Sequence, residues 1–160
     1  MLSKLFRKRH LQIFAPIKGK LVALSEVPDP VFSERMMGEG VAIIPAGGNV
    51  HSPVEGKVIF VAETRHAVGI RSTDGTEILI HIGLETVSLK GEGFKSHIKV
   101  GDSVSIQQLL IEVDWAFVCE NAKNIITPIV ITNSNERDIQ FTNETKSLIG
   151  ETVIMSVSRL

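Results

Sequence analysis

Short apolar runs alternate with glycine- and proline-containing breaks along most of the chain. Valine- and isoleucine-rich runs with such boundaries predict β-strands joined by tight turns. The longest stretch with a helical pattern is Trp115 to Asn124, and Ser33 to Met37 reads as a single helical turn closed by Gly38. The pattern therefore predicts an all-β chain with very little helix.

One sequence motif occurs twice, as Ala15 to Leu21 and as Ser52 to Val58. It consists of a small residue, Pro, an aliphatic residue, any residue, Gly, Lys and an aliphatic residue. It predicts a duplicated unit in which the proline ends one strand and the glycine turns into the next. Two copies are too few for a solenoid, so we expect a compact sandwich or barrel.

The most informative strand is Glu77 to Val87, which carries His81 at its end and breaks at Gly83. A second histidine, His66, heads an earlier apolar run, and Asp74-Gly75 lies between the two runs. Asp-Gly supplies the positive φ angles of tight hairpin turns, so we expect these runs to pair. Pairing would make the two imidazoles neighbours, on one face if the register allows.

The length, net charge and composition of the chain limit its class and its partners. With 160 residues the chain fits one domain, and its net charge of −1 gives no indication of a nucleic-acid partner. Its apolar runs are too short to span a bilayer, and its lone cysteine, Cys119, suits a reducing compartment. We expect a cytoplasmic protein.

Residues 1–10 are basic and precede the predicted domain at 11–160. As a helix this segment would be amphipathic, which would allow a weak peripheral contact with a membrane surface. The simpler interpretation is a flexible, solvated tail.

Residues alone leave three interpretations of the histidine pair open. It could be structural. It could bind zinc, which needs a third and usually a fourth ligand, as in a zinc hydrolase on a similar sandwich. It could also carry a nucleophile, because a neutral imidazole that donates from one ring nitrogen keeps a lone pair on the other. The second imidazole and the Thr64 hydroxyl would then stabilise charge on phosphoryl oxygens.

An irregular segment upstream contains four large apolar side chains, Val31, Phe32, Met36 and Met37. They could form a small core under a loop. They could equally form an exposed patch for a protein partner, where methionine adapts to different surfaces.

Three blocks strongly resemble the glucose-family enzyme IIA of the bacterial phosphoenolpyruvate-dependent sugar phosphotransferase system. They are Val27 to Ile43, Glu63 to Ala67 and His81 to Phe94. The resemblance runs from about residue 11 to the C-terminus. It implies an antiparallel β-sandwich with a duplicated hybrid motif. It also implies a carrier that accepts a phosphoryl group from the phosphocarrier protein HPr and passes it to the IIB domain of a sugar permease.

The resemblance also implies roles for individual residues. His81 would accept the phosphoryl group on Nε2, with Nδ1–H held by the Gly83 backbone carbonyl. His66 would support the transfer, and Thr64 would be its hydroxyl partner. Partner-binding positions would be Asp29, Val31, Phe32, Met36, Met37 and Glu85, where Glu85 stands in place of the aspartate of many members.

No cofactor is required for such a transfer. The alternative is a regulatory binding protein whose phosphorylation state controls its grip on transporters or enzymes. A zinc ion shared by His66, His81 and a partner carboxylate would belong to that mode. Contact with the membrane would be peripheral, through the permease or the N-terminal tail.

Overall fold

The computed structural model describes residues 10–160, so the predicted basic tail, apart from the exposed His10, lies outside the described residues. Strands dominate this part of the chain, as the pattern predicts. They are β1 (Leu11–Phe14), β2 (Gly19–Ala23), β3 (Glu39–Pro45), β4 (Val50–His51), β5 (Gly56–Val61), β6 (Ala67–Ser72), β7 (Glu77–His81), β8 (Phe94–Ser96), β9 (Ser103–Val104), β10 (Leu109–Val113), β11 (Thr127–Ile131), β12 (Arg137–Phe141), β13 (Lys146–Ser147) and β14 (Val153–Arg159).

Helix is confined to short segments within residues 10–160. The two α-helices are α1 (Pro30–Ser33) and α2 (Trp115–Asn121), and three single 3-10 turns cover Leu24–Glu26, Thr86–Leu89 and Ser134–Glu136. The prediction of a helix from Trp115 is confirmed, although the helix ends three residues earlier than predicted. The predicted turn at Ser33 to Met37 is wrong in its bounds, because Asp29 caps the helix and Pro30 starts it.

The strands form one large sheet and two small ones. The large sheet has eight strands in the order β13-β2-β3-β11-β7-β6-β5-β9, and the small sheets have the orders β1-β14-β12 and β4-β10-β8. Every strand pair is antiparallel. The prediction of an all-β, antiparallel sandwich is confirmed.

The two faces of the large sheet are covered differently. On one face, side chains such as Ile78 and Ile80 join a large core that also contains Ile13 and Leu110 from the two small sheets. Because successive side chains of a strand point to opposite faces, Leu79 lies on the other face, in a smaller cluster with Phe32. The segment around α1 thus covers the second face, and His81 shares that face by alternation.

The two copies of the repeated sequence motif are hydrogen-bonded to each other. The Phe14 amide donates to the Pro53 carbonyl at 3.0 Å, and the His51 amide donates to the Pro16 carbonyl at 2.8 Å. Each copy does link two strands across a proline and a glycine, but those strands do not pair with each other. In each copy the first strand enters a small sheet and the second enters the large sheet.

The histidine hairpin forms as predicted. β6 pairs with β7 in a register that sets Ala67 opposite His81, and the Ile82 amide donates to the His66 carbonyl at 2.7 Å. At the turn, only Gly75 has a positive φ, at +91°, so the expectation that both Asp74 and Gly75 adopt positive φ is wrong for Asp74. The Asp74 carboxylate instead accepts the Thr76 amide at 2.9 Å, which closes the turn through its side chain.

Candidate functional site

The site is built at the end of the hairpin opposite its turn. His81 is the last residue of β7 and His66 directly precedes β6. Their ring centroids lie 4.9 Å apart with an interplanar angle of 79°, so one ring meets the other edge-on. The prediction that pairing makes these imidazoles neighbours is therefore confirmed, although the register sets Ala67, and not His66, opposite His81.

A backbone carbonyl fixes the protonation of His81. Nδ1 lies 2.8 Å from the carbonyl oxygen of Gly83, and because a carbonyl only accepts, Nδ1 carries the proton. A neutral His81 therefore has its lone pair on Nε2, which has no hydrogen-bond partner among residues 10–160. This is the ring orientation expected for a nucleophile at Nε2.

The Gly83 turn requires glycine. Its φ is +71°, and a Cβ there would lie 2.8 Å from Cγ2 of Thr86 and 3.0 Å from the carbonyl oxygen of Asn124. Two hydroxyls that the sequence reading did not single out support the turn: Thr86 Oγ1 donates to the Ile82 carbonyl at 2.6 Å, and Thr127 Oγ1 accepts the Gly83 amide at 3.4 Å. A Thr four residues after Ile82 is a local signal, whereas Thr127 lies too far along the chain to be found from sequence.

His66 has a hydroxyl partner. Thr64 Oγ1 lies 2.6 Å from Nδ1 of His66, and the His66 side chain is buried, with 8% of its surface exposed. When the hydroxyl donates to Nδ1, the single proton of neutral His66 sits on Nε2. That N–H is then available as a donor to an anionic group held beside His81.

Burial keeps both imidazoles neutral. Loss of solvation, with a smaller contribution from His81, lowers the pKa of His66 from 6.5 to about 4. Burial also lowers the pKa of His81, against the hydrogen bond from Nδ1 to Gly83 and the negative charge of Asp29, which both raise it. At neutral pH the arrangement is thus one lone pair at His81 beside one N–H donor at His66.

The four apolar side chains of the irregular segment do not all fit one interpretation: one lies in a small core and three are exposed. Phe32 is buried, with 4% of its surface exposed, and its ring centroid lies 5.1 Å from that of His81. It belongs to the small core and presents almost no surface to a partner, whereas Val31, Met36 and Met37 are 39%, 69% and 40% exposed. The patch interpretation therefore remains a prediction for those three residues only.

The two acidic positions each directly precede a short helical segment. Asp29 Oδ1 accepts the Val31 amide at 3.0 Å as the cap of α1, and its charge acts on His81. Glu85 is exposed and has φ of +57° at the start of the 3-10 turn Thr86–Leu89. Their role as partner contacts stays a prediction.

The histidine pair supplies too few ligands for a complete metal site. Within residues 10–160, no group of three or more His, Cys, Asp or Glu side chains is placed to hold a metal ion. Each Nδ1 of the pair is already engaged, so the chain offers at most the two Nε2 atoms. A zinc hydrolase needs more ligands than that.

No helix in the described part of the chain is long and apolar enough to cross a membrane.

Comparisons with known proteins agree with this architecture. The profile of the family described as phosphoenolpyruvate-dependent sugar phosphotransferase system, EIIA 1, matches residues 11–137. A glucose-specific EIIA component of Staphylococcus epidermidis is 43% identical over 99% of both chains. A glucosamine-specific EIICBA component of Bacillus subtilis is 48% identical over 78% of this chain and 20% of that protein. The glucose permease IIA of Mycoplasma capricolum superimposes with a TM-score of 0.86 at 37% identity, covering 92% of this chain and 96% of that one.

The profile match spans most of the chain, and the S. epidermidis relative aligns from end to end. The similarity seen in the sequence blocks around the two histidines thus extends over most of the chain. The chain belongs to the EIIA 1 family of the phosphoenolpyruvate-dependent sugar phosphotransferase system and is a phosphotransferase component that carries a phosphoryl group.

Proposed function

We propose that His81 is the residue that carries the phosphoryl group, on Nε2. The observation that supports this is the pair of contacts at its ring: Nδ1 donates to the Gly83 carbonyl at 2.8 Å, and the edge of His66 lies 4.9 Å away between centroids. The lone pair on Nε2 attacks phosphorus while the bond from phosphorus to the donor imidazole breaks. No base is needed, because the proton of His81 already sits on the far nitrogen.

His66 and Thr64 supply the electrostatic part of the step. The Nε2–H of His66 donates to a phosphoryl oxygen, and the Thr64 hydroxyl holds the ring in that tautomer from 2.6 Å. Phosphoryl transfer depends mainly on positioning and charge stabilisation, with little covalent work for the protein. No cofactor is required.

The partners we propose are HPr as donor and the IIB domain of a sugar permease as acceptor. Relatives named EIICBA contain a segment like this chain within a longer protein, as in the glucosamine-specific component of B. subtilis. The exposed side chains Val31, Met36 and Met37, with the acidic residues Asp29 and Glu85, would form the docking surface. An apolar centre with charges at its rim suits weak, fast association. The setting we propose is the cytoplasm, with peripheral membrane contact through the permease or the N-terminal tail, residues 1–10.

A regulatory role is the second candidate, and one observation favours it. Phe32 joins the His81 ring to α1, so the segment that bears Val31 and Met36 lies beside the phosphoryl position. A phosphoryl group adds negative charge there and would change the affinity of that surface for transporters or enzymes. Zinc belongs to this mode: His66 and His81 would hold two of its four positions, and a partner carboxylate would contribute to the rest.

The experiment is stepwise phosphorylation from phosphoenolpyruvate through enzyme I and HPr, with labelled phosphate. We expect acid-labile label on the wild type, none on His81→Ala, and release of the label on addition of a IIB domain. Wild type that takes no label contradicts the carrier assignment, and label retained by His81→Ala contradicts the residue. Label that is never released to IIB but changes binding to a transporter or enzyme would favour the regulatory role.

A further inference from the structure

We propose that Arg65 is a positioning residue for the phosphoryl site, which acts by fixing the turn that holds Thr64 and His66. Its guanidinium anchors this turn to the loop of residues 91–94. The inference rests on the proposed function, because it assigns Arg65 to the support of His66 in transfer at His81.

The anchor is a two-point contact. Nε of Arg65 donates to the Phe94 carbonyl at 3.1 Å, and Nη2 donates to the Gly91 carbonyl at 3.1 Å. A planar guanidinium can make both contacts at once in a fixed geometry, which a lysine ammonium cannot do. The loop end is itself held, since Phe94 is buried with 5% of its surface exposed and starts β8.

The loop is shaped around the guanidinium. Gly91 has φ of +88°, and a Cβ at this position would lie 2.5 Å from Nη2 of Arg65. Any larger residue would therefore press on the side chain that the loop holds. This contact gives a physical reason for glycine at position 91, which the transfer step itself does not use.

The backbone of Arg65 is equally unusual. Its φ is +59°, a left-handed conformation that residues with a Cβ seldom adopt. The Arg65 amide donates to the Ala62 carbonyl at 2.8 Å, which closes the turn. Because Arg65 stands between Thr64 and His66, this conformation sets the 2.6 Å contact between the Thr64 hydroxyl and Nδ1 of His66. An unfavourable conformation persists only where surrounding contacts hold it, and the guanidinium anchor is such a contact.

The decisive variants separate the backbone from the side chain. Arg65→Gly removes the anchor at a position where glycine adopts the left-handed conformation without steric strain, so a change in rate is not due to a forced backbone clash. Arg65→Lys keeps the charge but not the two-point geometry, and Gly91→Ala disturbs the anchor from the loop side. Arg71→Ala is the matched control, because it removes an exposed arginine that pairs with Glu77 near the far end of the hairpin. Thermal melts check that each variant is folded.

The first readout is single-turnover phosphorylation of this protein by phospho-HPr at increasing HPr concentration. We expect the maximal rate to fall about 10- to 100-fold in Arg65→Gly and Gly91→Ala, since small misplacements of a supporting group have effects of that size. The half-saturating concentration of HPr should not change, and Arg65→Lys should not restore the rate. A wild-type rate in Arg65→Gly or in Arg65→Lys would overturn the inference.

The second readout does not need transfer at all. Nitrogen NMR shifts of the His66 ring should report one tautomer, Nε2–H, in the wild type and an averaged mixture in Arg65→Gly. A slow Arg65→Gly whose His66 shifts match the wild type would also overturn the inference, because Arg65 would then not act through His66. If the wild type takes no phosphate, the proposed function fails, while the NMR comparison still decides whether Arg65 fixes His66.

Discussion

Two histidines in this fold hold their rings in the same way. His81 ends β7 and donates from Nδ1 to the Gly83 carbonyl at 2.8 Å. His51 ends β4 and donates from Nδ1 to the Gln107 carbonyl, also at 2.8 Å. In both, a neutral ring therefore has its lone pair on Nε2.

Their surroundings differ. His81 has the His66 ring 4.9 Å away, the Phe32 ring 5.1 Å away and the charge of Asp29 acting on it. Within residues 10–160, no second aromatic or imidazole ring is stacked or edge-packed with His51. A fixed tautomer therefore does not distinguish the two rings, and in the function we propose the difference is the N–H donor of His66 beside His81.

The largest effect we expect comes from removing that donor. His66→Ala deletes the N–H that we propose donates to the phosphoryl group, and loss of one such donor lowers rates by about 100- to 1,000-fold. Rapid-quench measurement of labelling by phospho-HPr gives the rate. His66→Gln keeps a side-chain N–H and should lose less. If both variants are equally slow, the ring rather than its N–H is the feature that matters.

The next effect is on stability against pH. The pKa of His66 is about 4 in the folded protein against 6.5 for a free histidine, so the unfolded chain binds more protons between these values. Stability is complete above pH 6.5 and falls as the pH drops towards 4, by a total on the order of 3 kcal/mol. Denaturant titrations at pH 7 and pH 5 measure the change. His66→Gln should lose much of this dependence, and equal slopes in both proteins would contradict the assignment.

Replacement of Gly83 should have a somewhat smaller effect. Gly83→Ala forces a Cβ to 2.8 Å from Thr86 Cγ2 at φ of +71°, so clash and backbone strain add to a loss of about 2 kcal/mol. Gly48→Ala is the control, because Gly48 has φ of +80° with nothing within 4 Å of the added Cβ. Chemical denaturation compares the two. Equal losses would mean that strain alone is responsible and that the turn behind His81 is not tightly packed.

How far the sequence goes is shown by these same residues. Three features of the sequence depend on local chain geometry: the alternation of apolar and polar residues, the Asp74-Gly75 turn and the repeated proline motif. They predict the hairpin, the duplicated unit and the proximity of His66 to His81. The role of Gly83 rests on family resemblance alone, whereas Thr64 is a candidate already from its place two residues before His66. The burial of Phe32, the Thr127 contact and the anchor of Arg65 on Gly91 depend on packing between segments distant in the chain, which no local pattern encodes.

The smallest expected effect tests the comparison itself. His51→Ala removes the bond to the Gln107 carbonyl and should reduce stability by about 1 kcal/mol, with the rate of labelling unchanged. Mass spectrometry of labelled His81→Ala, in which His51 is intact, asks whether an oriented ring alone can accept phosphate. We expect no phosphate on His51, since no second imidazole among residues 10–160 is packed against its ring to stabilise the phosphoryl charge. Phosphate found there would show that orientation of the lone pair is enough, and that His66 serves speed or release rather than acceptance.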